Sequence, residues 1–290
     1  MTEQYADIDG IKICYEILGN EDAYPVFLIH GFGVKKEIWM AQVNELAKYF
    51  KVIRFDNRGA GKSDRPDGFS PIETYADDVK KIMNVLKIEK AHIIGWSLGG
   101  MIVQNFVLKY PEYVNKVILI ATNHGFPNEQ GPEIYKKMRL KELELLKEDP
   151  MKAFQEVARA NFYAKFRKEM EADPKKKFFD IWSAEDFINM STIDPPRAQD
   201  IENFGEALKT HNTFDRLKQI KNETLLIAFS HDRLTPKLSM AEMQEQISNS
   251  KLIVIEKAGH FAPMTRAPEV NNAILEFLEI PKELLAEPII

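Results

Sequence analysis

Four short runs, Val26–His30 (VFLIH), Val52–Asp56 (VIRFD), Lys116–Thr122 (KVILIAT) and Thr224–Ser230 (TLLIAFS), are almost continuously apolar or β-branched. A strand with one wet face alternates polar and apolar residues. A strand that is apolar throughout is buried on both faces, as in a parallel sheet. Ile11–Leu18, Ala91–Trp96 and Lys251–Glu256 are further strand candidates. Amphipathic helical patterns lie between them, at Ile38–Phe50, Pro71–Leu86, Leu98–Tyr110, Pro236–Ile247 and Pro268–Leu278. This alternation predicts an α/β domain with helices on both faces of the sheet. The chain's 290 residues allow one large domain with a full core, or two smaller ones.

The alternation stops between Thr122 and Thr224. That stretch reads as four or so helices, punctuated by Pro132, Pro150, Pro174 and the Pro195-Pro196 pair. Tyr135, Phe154, Phe162, Phe166, Phe178, Trp182 and Phe187 give it a high aromatic content. The expected division is a core of 1–122 and 213–290 with a helical cap of 123–212.

The sharpest motif is Gly95-Trp96-Ser97-Leu98-Gly99, a G-x-S-x-G between the apolar run AHIIG and the helical pattern LGGMIVQNFVLKY. A serine at such a strand-to-helix turn sits on a strained backbone that lifts its hydroxyl above the sheet. The neighbours two residues away must be very small, and both are glycine. The helix N-terminus and the Leu98 amide then point toward a reacting oxygen. Ser97 is therefore the candidate nucleophile.

A serine hydroxyl needs a base at neutral pH. Of six histidines, His260 lies in KAGHFAP, after the last strand and before the final helix, where a side chain returns over the carboxyl edge of the sheet. His30, His92, His124, His211 and His231 stand at strand starts or ends, beside the acid candidate, or at the insert borders, and read as structural or peripheral. The base needs an acid to set its tautomer. Asp232 follows the strand TLLIAFS directly, giving the chain order Ser97, Asp232, His260. Asp56 also ends a strand, but that strand precedes the serine in the chain. An N-cap for the helix near Pro236 is the other reading of Asp232.

His30-Gly31-Phe32-Gly33 follows another strand, and its glycines allow backbone N–H groups to turn toward the site. The backbone N–H groups of Phe32 and Leu98 are the expected oxyanion donors; the alternative for the loop is a plain turn. The same segment, GFGVKK with Asp56 ending the next strand, has the outline of a dinucleotide-binding fingerprint. Lys36 stands where the third glycine belongs, and that reading leaves Ser97, Asp232 and His260 unexplained.

Composition narrows the partners. The net charge of −5 argues against nucleic acid. No apolar run approaches the ~18 residues of a membrane helix, so no membrane partner is expected. MTEQYADIDG carries no apolar leader segment, which sets the expectation of a cytoplasmic protein. The single Cys14, in an apolar run, reads as a buried thiol. A monomer or homodimer is expected, without cofactor and without metal.

With these residues in place the chain resembles the α/β-hydrolase superfamily over essentially its whole length. The resemblance rests on HGFG at 30–33, FDNRGAGKSD at 55–64, GWSLGG at 95–100, Asp232-x-x-x-Pro236 and AGH at 258–260. It implies a mostly parallel central sheet flanked by helices, with a helical cap inserted after the sixth strand. Within the superfamily the chain is similar to small carboxylesterases, 3-oxoadipate enol-lactonases and the cofactor-free haloperoxidase and perhydrolase group. Its GWSLGG also resembles the serine turn of the pimeloyl-carrier-protein methyl esterase of biotin synthesis. One departure is Phe229, where many relatives have glycine three residues before the acid. Haloalkane dehalogenases and epoxide hydrolases carry aspartate at the nucleophile position, which Ser97 argues against.

The expected activity is hydrolysis of a small, largely apolar ester or lactone through an acyl-enzyme. A C–C hydrolase or lyase on the same three residues, or a ligand receptor with residual turnover, are the alternatives, because fold and triad do not set substrate. The insert leaves after the strand that follows the Ser97 helix, which favours a lid over a free-standing domain. The pocket is expected to be apolar and lined by Phe32, Trp96, Phe126 and Trp182, with aromatics of the insert setting chain-length preference.

Overall fold

The computed structural model describes residues 2–285. Its strands are β1 (Gln4–Asp7), β2 (Lys12–Leu18), β3 (Pro25–Ile29), β4 (Lys51–Phe55), β5 (Ala91–Trp96), β6 (Val114–Ile120), β7 (Thr224–Phe229) and β8 (Ser250–Ile255). They form one sheet in the order β1-β2-β4-β3-β5-β6-β7-β8. β1 pairs antiparallel with β2, and β2 with β4; every other pairing is parallel. The seven strands expected from sequence are present, and the apolar runs of β3, β4, β6 and β7 are buried on both faces, whereas in the edge strand β8 only Ile255 is buried. Phe27 and Ile29 face one core while Val26 and Leu28 face the other. β1 is additional: only Ala6 in it is buried, so pairing with β2, rather than its own pattern, makes it a strand.

On one face lie α2 (Ile72–Val85), α3 (Leu98–Lys109) and α9 (Lys237–Gln246). On the other lie α1 (Met40–Leu46), α10 (Ala262–Thr265) and α11 (Ala267–Phe277). Helix α1 is shorter than the pattern Ile38–Phe50 suggests, because Lys36–Trp39 forms a 3₁₀ turn ahead of it. Between β6 and β7 come five helices: α4 (Gln130–Glu148), α5 (Pro150–Asn161), α6 (Ala164–Ala172), α7 (Ala184–Thr192) and α8 (Ala198–Lys209). Local signals start two of them. Asp149 caps α5, accepting from the Lys152 N–H at 3.0 Å, with Pro150 in its first turn, and Ser183 with Asp186 forms a capping box on α7. Gly125 and Asn212 pair in an antiparallel bridge, and the Thr213 N–H donates to the His124 carbonyl at 2.8 Å. The insert therefore leaves and returns through one narrow neck.

The insert's aromatics do not hang over an open pocket. Phe154, Phe162, Phe166, Phe178, Trp182 and Phe187 pack edge-to-face or tilted against one another. Phe162 and Phe187 then reach Phe261, at ring distances of 5.8 and 6.0 Å. The Trp182 indole N–H donates to the Met264 carbonyl at 3.1 Å. The cluster is thus continuous with the core on the α11 face of the sheet, and it rests on the loop that carries His260. Among the described residues, no helix is long and apolar enough to cross a membrane.

Candidate active site

Ser97 sits between β5 and α3 at φ 58°, ψ −120°, a region disfavoured for any residue with a Cβ. Its neighbours hold it there. The Ser97 N–H donates to the Ile120 carbonyl at 2.9 Å, and the Ser97 carbonyl accepts from the Gly100 N–H at 2.9 Å and from Thr122 Oγ1 at 2.8 Å. The glycines of the motif are sterically required. A Cβ on Gly95 would lie 2.3 Å from the Gly99 carbonyl oxygen, and one on Gly99 would lie 2.0 Å from the Ile29 carbonyl oxygen. Helix and β3 thereby approach closely enough to bring the His30–Gly33 loop beside the serine. A Cβ on Gly31 would lie 3.2 Å from Ser97 Cβ.

Asp232 lies in the turn after β7 and is buried. Its Oδ1 accepts from the N–H groups of Leu234 and Thr235 at 2.8 and 2.9 Å, and its Oδ2 from Thr235 Oγ1 at 2.7 Å. His260 Nδ1 is 2.7 Å from the same Oδ2. Burial pushes the Asp232 carboxyl up, but the charge and hydrogen bond of His260, together with the Thr235 donors, outweigh it and hold the group below the usual aspartate value. An ionised carboxylate only accepts, so Nδ1 of His260 carries the proton and Nε2 is left as the basic nitrogen. Gly259 lets the histidine loop pass under α5, since a Cβ there would lie 2.2 Å from the Asn161 carbonyl oxygen. Phe229, in place of a glycine, is a buried residue of β7 and does not prevent the Asp232 turn.

Ser97 and His260 line one cavity of about 170 Å³, with Phe32 and Leu98 beside them. Its other walls come from Met101 and Leu234 of the core and from Tyr135, Leu145, Val157 and Leu208 of the insert. Of the expected pocket aromatics, Phe32 lines this cavity, whereas Trp96, Phe126 and Trp182 do not. Trp182 is completely buried in the aromatic cluster described above. Phe126 stands behind Tyr135, at a ring distance of 5.7 Å, and Tyr135 takes the lining position. Trp96 backs His260 at 6.0 Å and borders only a void of about 20 Å³ under the site.

The other histidines are engaged elsewhere. His30 Nε2 accepts from the Asn57 N–H at 2.9 Å, tying the two loops together, and burial lowers its pKa. His211 bonds Asn105 and the Asn123 carbonyl, with burial bringing its pKa down to about 4. His124 meets Glu242, and His231 meets Ser230. Asp56 accepts from the Lys36 and Lys62 N–H groups and pairs with the Lys36 ammonium at 3.2 Å, which makes it the organiser of the 55–64 turn. Carboxylates of Glu3, Glu16 and Glu37 converge within 4.8 Å. Lys36 and Lys62 already pair with Glu3, Arg54 with Glu16 and Lys36 with Glu37, so cations of the chain occupy that cluster. Cys14 is buried, and burial pushes its thiol up to about 11.

Sequence reading missed Thr122, Tyr135, Arg139 and Thr235 around the site. Only Thr235 had a local signal: D-x-x-T before a proline is a side-chain-to-backbone turn pattern. The other three depend on which face of a distant element meets the serine loop.

Comparison with known proteins agrees with this architecture. The family model for the alpha/beta hydrolase fold matches residues 24–267. The putative carbamate hydrolase RutD of Rhizobium rhizogenes is 26% identical over 275 residues, covering 92% of this chain and 97% of that protein. A thermophilic esterase from Thermogutta terrifontis superposes with a TM-score of 0.78 at 26% identity, over 99% of this chain and 100% of the other. The enol-lactonase from Burkholderia xenovorans LB400 superposes at 0.79 with 22% identity, over 96% and 100% of the two chains, a likeness of fold. The chain is a member of the α/β-hydrolase fold family.

Proposed function

We propose that this protein is a serine hydrolase that cleaves a carboxylic ester or lactone of a small, largely apolar substrate through an acyl-enzyme. The observation that carries the reading is the 2.7 Å contact of Asp232 Oδ2 with His260 Nδ1, in a cavity that Ser97 shares from its strained turn. Similarity to the Thermogutta terrifontis esterase supports the ester as substrate class.

In this mechanism Ser97 Oγ attacks the carbonyl carbon while its proton passes to His260 Nε2. Asp232 stabilises the imidazolium that forms. The N–H groups of Phe32 and Leu98, which have no protein acceptor among the described residues, receive the oxyanion at the positive end of α3. His260 returns its proton to the leaving alkoxide as the ester bond breaks. Water then attacks the acyl carbon, giving a proton to His260; release of the acid returns that proton to Ser97.

The test is labelling with a fluorophosphonate probe, followed by turnover of a p-nitrophenyl ester chain-length series beside an enol-lactone, a carbamate and a C–C hydrolase substrate. The reading expects label on Ser97 and steady turnover of an ester or lactone. Label on another serine, or turnover of the C–C substrate alone, overturns it.

A further inference from the structure

Arg139 projects from α4 to the point where three cavities meet. It borders the catalytic cavity, a second chamber of about 50 Å³ lined by Gly33, Phe204 and Met190, and the small void between Gly31, Ser97 and His260. Gly33 makes the approach possible: its φ is +68°, and a Cβ there would lie 3.0 Å from Arg139 Nε. The side chain is only 17% exposed. A guanidinium so placed beside a reacting centre is a strong directional electrostatic element.

Its hydrogen bonding is incomplete in one direction. Nη1 donates to Glu142 at 2.5 Å. The Nε and Nη2 N–H groups, whose parallel hydrogens form the side-on fork that fits a carboxylate, have no protein acceptor among the described residues. Three other arginines of this chain close that fork on a carboxylate. Arg54 places Nε and Nη2 on Glu16, Arg58 on Asp78 and Arg197 on Asp200. The other charges on the cavity are paired with each other at its rim: Glu156 with Lys141 at 3.9 Å and with Arg159 at 2.8 Å. Arg139 is thus a charged donor at the catalytic cavity with an unused carboxylate-binding edge.

We infer that Arg139 is a specificity-determining residue that binds a carboxylate on the substrate, so that the preferred esters are half-esters of small dicarboxylic acids. The inference rests on the acyl-transfer reading for its turnover arm. The acyl chain lies along the apolar wall of Leu145 and Val157, and its anionic end pairs with the Nε and Nη2 edge. Glu142 holds the guanidinium in place from Nη1 and, as a neighbouring negative charge, opposes the incoming anion.

The test compares monomethyl succinate, glutarate and adipate with methyl esters in which an isopropyl group replaces the carboxylate, acid release being followed by pH-stat. Wild type is expected to favour a half-ester over its isostere. Arg139→Met should lower that ratio roughly 10- to 100-fold, the loss of a hydrogen-bonded charge pair. Glu142→Gln breaks the same ion pair but should raise the ratio. A ratio untouched by Arg139→Met, or driven the same way by both substitutions, overturns the inference and makes the pair structural. Glutarate itself is titrated calorimetrically into wild type and Arg139→Met, and should bind the variant at least tenfold more weakly. If wild type hydrolyses neither ester but binds glutarate through Arg139, the acyl-transfer reading fails and the anion site stands. If both kinds of ester are hydrolysed but the half-ester ratio does not depend on Arg139, the anion site fails and the acyl-transfer reading stands.

Discussion

Thr235 donates its hydroxyl to Asp232 Oδ2 at 2.7 Å, the oxygen that also lies 2.7 Å from His260 Nδ1. The acid is therefore oriented from two sides: backbone donors hold Oδ1, and Thr235 fixes the rotation that presents Oδ2 to the histidine. Asp232→Asn is expected to reverse the preferred histidine tautomer and lower kcat by up to roughly 10⁴. Thr235→Val removes one charge-assisted hydrogen bond and should lower kcat about tenfold. Esterase kinetics on both variants check this; an unchanged kcat in Asp232→Asn assigns the role to another carboxylate.

The Ser97 backbone predicts a separation of activity from stability. Ser97→Ala should abolish turnover with the fold intact. Ser97→Gly should be equally inactive but melt a few degrees higher than Ser97→Ala, because glycine adopts φ 58° without strain. Thermal melting of the two variants decides it, and a lower melting point for Ser97→Gly counts against stored strain at this turn.

Gly99→Ala is expected to be among the most damaging single substitutions in the chain. Its Cβ would lie 2.0 Å from the Ile29 backbone oxygen, with no flexible side chain to yield. Loss of soluble protein, or a sharp fall in denaturant midpoint together with loss of activity, is the expected outcome.

His92 gives a pH dependence with a defined sign. Burial brings its pKa from 6.5 down to about 4. Between those values the unfolded chain binds a proton that the folded one does not, so stability is present above pH 6.5 and falls as pH drops toward 4. The loss from this residue at pH 5 is about 2 kcal/mol. His92→Phe, in a slot between Tyr24 and Phe50, should lose less melting temperature between pH 7 and pH 5 than wild type. Equal losses in the two proteins would show that the buried imidazole takes up its proton at the same pH as in the unfolded chain.

Trp182 and Val157 should behave as opposites. Trp182→Ala empties a completely buried site and is expected to destabilise by roughly 3–5 kcal/mol while leaving the chain-length profile unchanged. Val157→Phe narrows the cavity wall and should shift preference to shorter acyl chains with little change in melting temperature. A p-nitrophenyl ester series on both variants, with melting curves, tests the assignment.

Much of this protein is legible without its tertiary structure because the relevant signals are local. Apolar runs such as VFLIH and TLLIAFS demand burial on both faces, and β3 and β7 lie inside the sheet accordingly. G-x-S-x-G encodes its own turn: the small residues on either side of Ser97 are what β3 and α3 need to approach. Asp232 and His260 each lie in the loop that follows a strand, so their loops lie on one edge of the sheet, and the fold brings them into hydrogen bond. β1 had no such signal, since its residues are mostly exposed and it becomes a strand only by pairing with β2.

The cavity wall is a different matter. The insert carries aromatics on several helices, and helical periodicity does not say which neighbour a face will meet. Phe162, Trp182 and Phe187 turn toward Phe261 and Met264, where they bury more apolar surface than an open cavity offers. That choice leaves Tyr135, Leu145 and Val157 as lining, and brings Arg139 over Gly33. Local sequence determined the sheet, the serine turn and the order of the three site residues. Tertiary packing alone decided what faces the substrate, because burial is shared between elements far apart in the chain.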